Sequence, residues 1–208
     1  MHILVHMKRI ETKIAQVRKL ARTKGIIHAR DLEPFDLPKQ YLCVLHDEGF
    51  LSRTGRGLYM FKKAPENADI GLAQIAKTVP RGVVCLLSAL RFHEIGTQTH
   101  REVWLALDRR SARPRNTSPK THIVRFSGKA FSEGIQERDV AGVTVRIYNP
   151  AKTVADCFKY RNKIGLDVAL EALREVLRKR MSTADELWKY AKICRVAKVM
   201  RPYMEAVQ

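Results

Sequence analysis

The chain has 208 residues, with 39 Lys and Arg against 21 Asp and Glu, and a formal net charge of +18. A hydrophobic content of 45% is enough for a real core and excludes global disorder, and no apolar run reaches the roughly 18 residues of a spanning helix. The excess charge is spread along the chain, with 13 basic against 6 acidic residues in 1–63, 13 against 8 in 64–150 and 13 against 7 in 151–208, so an extended surface suits a polyanion, nucleic acid ahead of an anionic membrane surface or an acidic partner.

The first residues are too short for a secretory apolar region. Residues 8–24 read as an amphipathic helix. Ile10, Ile14, Val17, Leu20 and Ala21 lie on one face, and Lys13, Arg18, Lys19 and Arg22 on the other. Gly25 ends it, Ile26 and Ile27 suit a minimal strand, and residues 28–32 a second short helix. Phe35, Asp36 and Leu37 form the turn into the most informative stretch, LPKQYLCVLHDEGFLSRTGRGLYMF at 37–61. Pro38 fits a first helical turn. Tyr41, Leu42 and Leu45 share one face, while Lys39, Gln40, Cys43 and Val44 take the other. Gly49 stops the helix. Residues 50–53 and 58–61 read as strands around Thr54-Gly55-Arg56-Gly57, whose glycines supply the positive φ of a tight hairpin. Helix, short helix, turn, helix, hairpin is the order of a winged helix-turn-helix, whose last helix lies in the DNA major groove. A helix–hairpin unit that only packs shares the local pattern.

Residues 64–69 are polar, contain Pro65 and offer Asp69 as a helix cap, so they predict a linker between a domain at 1–63 and another at 70–208. A helix over 70–78 follows, then a strand at 83–85, a helix at 86–93 and a strand at 102–107 around Trp104. Residues 108–120, DRRSARPRNTSPK, form a loop with Arg109, Arg110, Arg113, Arg115 and Lys120. It reads equally as a solvated loop or a phosphate-contact element. Strands are expected at 122–126, 131–136 and 143–148, the last after an Ala141-Gly142 turn. Asn149 and Pro150 are strong start signals for a helix over 150–160. Helices at 165–180, from Ser182 onward, and at 197–207 with a break near Pro202 complete the chain. The fold class expected is α+β: an N-terminal winged helix-turn-helix, then a mixed α/β C-terminal domain ending in helices.

The run Asn149-Pro-Ala-Lys-Thr-Val-Ala-Asp-Cys157 follows a Gly-Val-Thr-Val-Arg-Ile strand and precedes Gly165-Leu-Asp-Val-Ala-Leu-Glu-Ala-Leu173. In that order it resembles the AbiEi-type antitoxins of type IV toxin–antitoxin systems. Cys85-Leu-Leu-Ser-Ala-Leu90 and the Gly57-Leu58-Tyr59 end of the hairpin are similar to that family too, so the resemblance spans about residues 8–180 and rests on the order of the motifs. It implies an N-terminal winged helix-turn-helix and a C-terminal antitoxin domain. It also implies repression of the protein's own operon through inverted repeats, and opposition to a co-encoded nucleotidyltransferase-like toxin without a stable complex.

For double-stranded DNA, Lys39 and Gln40 are the base-edge candidates, since Gln pairs with adenine and Lys with guanine in the major groove. Val44 shares their face. Arg53 and Arg56 would be wing contacts to phosphate or minor groove, and Arg30 would meet a backbone phosphate. Each alone reads as well as a solvated side chain. Inverted repeats need two copies on the DNA; a monomer and a dimer in solution both remain open. Lys152 and Asp156, four apart on one helix, read as an ion pair, or as an antitoxin motif through an exposed side of that helix.

Catalysis finds little support. The histidines form neither HxxxH nor HExxH, Gly128-Lys129 lacks the rest of a P-loop, and no acidic metal cluster stands out. No enzyme activity, cofactor or metal is expected. Cys43, Cys85, Cys157 and Cys194 never form CxxC and read as small buried hydrophobes of a reducing compartment, which points to the cytoplasm. Two rivals remain. One is a plain winged-helix transcription regulator with a ligand-sensing or oligomerising C-terminal domain, and the other an enzyme acting on nucleic acid.

Overall fold

The computed structural model describes residues 2–55, 57–62, 69–98, 102–115, 117 and 119–206, with side chains from Glu11 onward. Arg56 and linker residues 64–68 lie outside the described residues. The chain divides into two compact units, Met1–Thr78 with Asp139–Thr144, and Val79–Arg138 with Val145–Gln208.

The first unit opens with α1 (His2–Lys24), which buries Val17 and Ala21 and stops at Gly25 with φ 66°. A short strand β1 (Ile26–His28) leads into a 3-10 helix, η1 (Ala29–Phe35). Then come α2 (Gln40–Asp47), β2 (Leu51–Gly55), β3 (Leu58–Phe61) and α3 (Ile70–Thr78). The strands form an antiparallel sheet in the order β1-β3-β2, with a register shift between Arg53 and Gly55. Val17, Ala21, Ile27, Leu32, Leu42, Leu45 and Leu51 make its core. The helix at Pro38 is shorter than expected: Lys39 is the first flanking residue, and no side chain caps it.

The helix α3 belongs to this unit, although its place after a polar linker assigned it to the second domain. Lys77 Nζ lies 2.8 Å from Asp31 Oδ2, both largely buried, and the Arg30 guanidinium donates to the Lys77 carbonyl. These partners are 46 and 47 residues apart, so no local pattern announces them.

The second unit holds a five-stranded sheet except for Asp139–Thr144, the turn and adjoining residues of its last two strands, which group with the first unit. Its elements in chain order are β4 (Val83–Val84), α4 (Leu86–Phe92), β5 (Val103–Asp108), β6 (Thr121–Phe126), α5 (Lys129–Ser132), β7 (Ile135–Val140) and β8 (Val143–Tyr148). The helices α6 (Pro150–Lys159), α7 (Arg161–Ile164), α8 (Leu166–Arg178), α9 (Ala184–Ile193) and α10 (Ala197–Ala206) follow. The strand order is β6-β5-β4-β8-β7; β5 runs parallel to β6 and antiparallel to β4, and β4 runs parallel to β8. α6 is central, touching α4, α8, α9 and α10.

Three expectations are corrected here. Residues 131–136 are not one strand: α5 ends at Ser132, Gly134 turns with φ 78°, and β7 starts at Ile135. Pro202 does not interrupt α10, which runs through it. Cys43 is exposed, whereas Cys85, Cys157 and Cys194 are buried as expected. The start of α9 is firmly capped, because Thr183 and Glu186 cap each other's backbone reciprocally. No described helix is long and apolar enough to cross a membrane.

Candidate nucleic-acid interface

Two tight turns present α2. Asp36 takes a positive φ of 51° and closes η1, which lets Leu37 turn inward and be buried. At the other end Gly49 (φ 73°) stops the helix, and the Phe50 N–H reaches back to the Leu45 carbonyl at 2.9 Å. Between them the helix is two-sided. Tyr41, Leu42 and Leu45 are buried; Lys39, Gln40, Cys43 and Val44 face solvent. Val44 is 37% exposed, a large apolar side chain left outside the core. Among the described residues, no ion pair or side-chain hydrogen bond engages Lys39, Gln40 or Arg53. Arg53 is exposed on β2 beside the register shift, and Arg56 lies outside the described residues.

A groove of about 530 Å³ runs between this face and the hairpin, lined by Lys39, Gln40, Cys43, Arg53, Gly57 and Tyr59. At its floor Cys43 Sγ and Tyr59 Oη are 3.5 Å apart. That contact, together with burial, pushes the Tyr59 phenol above its ordinary pKa. The groove therefore offers a cation, an amide and a thiol at α2, with an Arg alongside.

Arg30 behaves differently from expectation. It is the second residue of η1, and its guanidinium is tied to the Lys77 carbonyl. The basic face of α1 is likewise partly committed: Arg18 pairs with Glu48 at 2.6 Å, and Arg18 and Arg22 lie over the Phe50 ring.

A residue missed in the sequence is His28. Its Nδ1 accepts from the Arg30 N–H at 3.2 Å, while its own N–H donates to Asp31 Oδ2 at 2.8 Å. This is a reciprocal cap with His in the place usual for Ser or Thr, and the signal was the His-x-x-Asp spacing. Burial and the nearby Arg30 charge lower the His28 pKa. The folded state thus binds the His28 proton less readily than the unfolded chain. Its stabilisation is complete above about pH 6.5 and is lost as the pH falls below that value. His28→Asn keeps an acceptor without a titration. The protein should therefore lose more stability than this variant between pH 7.5 and 5.5, read from urea midpoints. Equal losses would remove His28 as the cause. His93, whose Nε2 meets the Tyr148 carbonyl at 2.8 Å, is shifted the same way by burial and acts equally in both proteins.

In the second unit Arg109, Arg110, Arg113 and Arg115 are all exposed. No ion pair among the described residues engages them. The start of their loop is firmly held. Arg125 donates to the carbonyls of Asp108 (2.9 Å) and Ser111 (2.7 Å), and the Arg109 N–H to the Phe126 carbonyl at 2.8 Å. Lys120 is instead paired with Glu102 at 2.6 Å, and Glu102 also meets His122 Nε2. The Lys120 hydrogen bond holds the Glu102 carboxyl below its ordinary value.

Lys152 and Asp156 do form an ion pair, at 2.6 Å, but the pair is fully buried. Residues 151–158 are all buried, so the motif has no exposed side through which to meet a partner. Lys152 Nζ sits 4.0 Å from the centre of the Tyr148 ring and 4.6 Å from that of Phe126, and Asp156 Oδ1 accepts from Cys194 Sγ at 3.3 Å. Burial pushes the Asp156 carboxyl up, against the pull of Lys152. Nearby, Asn149 accepts from the Lys152 N–H and donates to Tyr190 Oη. Among the described residues, no group of three or more His, Cys, Asp or Glu side chains comes together to hold a metal ion.

The class these elements define is a mixed α/β protein, an N-terminal α/β region followed by a helix-rich C-terminal segment. No protein-family model and no curated protein matches the chain. Among solved structures it is similar to the crystal structure of the RV2827C protein from Mycobacterium tuberculosis, with a TM-score of 0.59 and 14% identity over 94% of this chain and 80% of that one. At that identity the likeness bears on the fold alone.

Proposed function

We propose that residues 8–61 are a winged helix-turn-helix that binds double-stranded DNA, with α2 in the major groove and the β2–β3 hairpin as the wing. The observation that carries this reading is the two-sided α2. Its solvent face presents Lys39, Gln40 and Val44 without intramolecular partners among the described residues, beside Arg53, on a chain of net charge +18. Lys and Gln suit guanine and adenine edges, and Val44 suits a thymine methyl. Together with the order of sequence motifs, this supports an AbiEi-type antitoxin. It would act in the cytoplasm, repress its own operon at inverted repeats with two copies on the DNA, and counter a co-encoded nucleotidyltransferase-like toxin without a stable complex. The protein is read as a binder, not an enzyme.

The test is a gel-shift titration on the DNA upstream of the gene and on a scrambled duplex of equal length, at two salt concentrations. Tighter binding upstream that persists at higher salt is expected. Equal binding that disappears with salt would reduce the charge to a general polyanion surface. The second reading, a winged-helix regulator with a ligand-sensing C-terminal domain, draws on one observation: the cationic cleft beside Arg109 and Arg110.

A further inference from the structure

We propose that the cleft at the carboxyl ends of β5 and β6 binds a polyphosphate chain, free or carried by a nucleotide. β5 and β6 are parallel, with Asp108 beside Phe126 at their ends, so the segments that follow them leave the sheet on the same side. Ligands of α/β sheets collect in such crevices because side chains from separate loops converge there. The space here is about 750 Å³, lined by Asp108, Arg109, Arg110, Ser127 and Gly128. That exceeds what one phosphate fills and lies within the size range of small-ligand sites.

The chemistry of the lining is one-sided. Arg109 and Arg110 both line the cleft, exposed and with no ion pair among the described residues, and Ser127 beside them carries a hydroxyl. Asp108 is the one acid in the lining, and its Oδ1 is occupied by the Arg110 N–H at 2.9 Å. Gly128 leaves its wall bare: a Cβ there would meet nothing within 4 Å. A charged loop that merely hydrates has no need of a fixed backbone. This one is held by the Arg125 bonds to Asp108 and Ser111 and by the Arg109 N–H on Phe126. Two like charges on an ordered turn repel, and a multivalent anion relieves the repulsion while accepting several guanidinium hydrogen bonds at once. No aromatic side chain is among the described residues that line the cleft, so the recognition rests on the phosphates. The proposal stands apart from DNA binding by the first unit.

The experiment is isothermal titration of the full-length protein with sodium tripolyphosphate and, separately, with ATP at constant ionic strength. Saturable binding of tripolyphosphate is expected. Arg109→Ala with Arg110→Ala should weaken it by at least about tenfold. Arg113→Ala with Arg115→Ala changes the net charge equally and should leave it intact. Should the first pair fail to fold, as judged by circular dichroism, Ser127→Glu places a repelling carboxylate at an exposed position and should produce the same loss. Equal affinities for the two ligands would mean that the phosphate chain suffices, and tighter ATP binding that a nucleotide carries it; both support the site. Absence of tripolyphosphate binding overturns the proposal, as does an equal loss in both arginine pairs. Loss of low-salt duplex binding in the Arg109/Arg110 variant, without tripolyphosphate binding to the parent protein, would reassign the loop to nucleic-acid backbone and overturn it as well.

Discussion

Asp156→Ala is expected to destabilise the second unit by about 3–5 kcal/mol, because it leaves the Lys152 ammonium buried without its counter-charge. What remains close to the ammonium is the negative faces of the Tyr148 and Phe126 rings. Lys152→Met should be comparably damaging at neutral pH, and its pH dependence has a definite sign. Burial already raises the Asp156 carboxyl, and removing Lys152 raises it further. The folded state then binds that proton more readily than the unfolded chain, so stability contributed by this group is present at low pH and lost as the pH rises through the folded value. The Lys152→Met variant should therefore gain stability relative to the unchanged protein as the pH falls from 8 to 5. The double change Lys152→Met with Asp156→Leu removes both charges and should recover most of the loss. Urea unfolding followed by tryptophan fluorescence reads all three. A near-zero effect of Asp156→Ala would mean that water reaches the pair, contrary to its full burial.

The same corner explains a close packing requirement. A Cβ on Gly134 would stand 2.8 Å from Lys152 Cβ and 3.1 Å from the Tyr190 ring, and Gly134 has φ 78°. Gly134→Ala should therefore destabilise the protein through backbone strain and overlap together, by about 1–3 kcal/mol in a thermal or urea melt. A variant as stable as the parent would show that the loop before β7 can shift freely.

The sequence made local patterns legible and hid long-range ones. The faces of α2 followed from helical spacing alone, because Tyr41, Leu42 and Leu45 had to share a side. The start of α6 was equally plain, since the Asn149 side chain accepts from the Lys152 N–H and Pro150 occupies the first turn. What could not be read was that α6 is covered on every side. A helix carrying Lys152, Thr153 and Asp156 looks amphipathic until α4, α8, α9 and α10 are placed around it. The membership of α3 was hidden for the same reason, since its anchor joins Lys77 to a residue 46 positions away. In the candidate interface, Lys39, Gln40 and Val44 are on the exposed face that the spacing demanded. The bond from Arg30 could not be foreseen, because its partner is a backbone carbonyl and carbonyls have no sequence signature.

Lys39→Ala with Gln40→Ala is expected to weaken operator binding by about 2 kcal/mol or more, while binding to scrambled DNA changes little. The asymmetry is the point. Base-edge hydrogen bonds exist only on the matching sequence, whereas the rest of the +18 charge acts on any duplex. Both side chains are exposed and unpartnered among the described residues, so the double variant should unfold at the parent's urea midpoint, which separates recognition from stability. Arg53→Ala should do something else: weaken both duplexes alike and lower the slope of log affinity against log salt by about 1, as the loss of one phosphate contact requires. Arg30→Ala, whose guanidinium is bound within the protein, should shift the urea midpoint more than it shifts DNA binding. If the Lys39/Gln40 variant lost affinity equally on both sequences, α2 would be a phosphate-binding helix, and base readout would have to be sought elsewhere on the molecule.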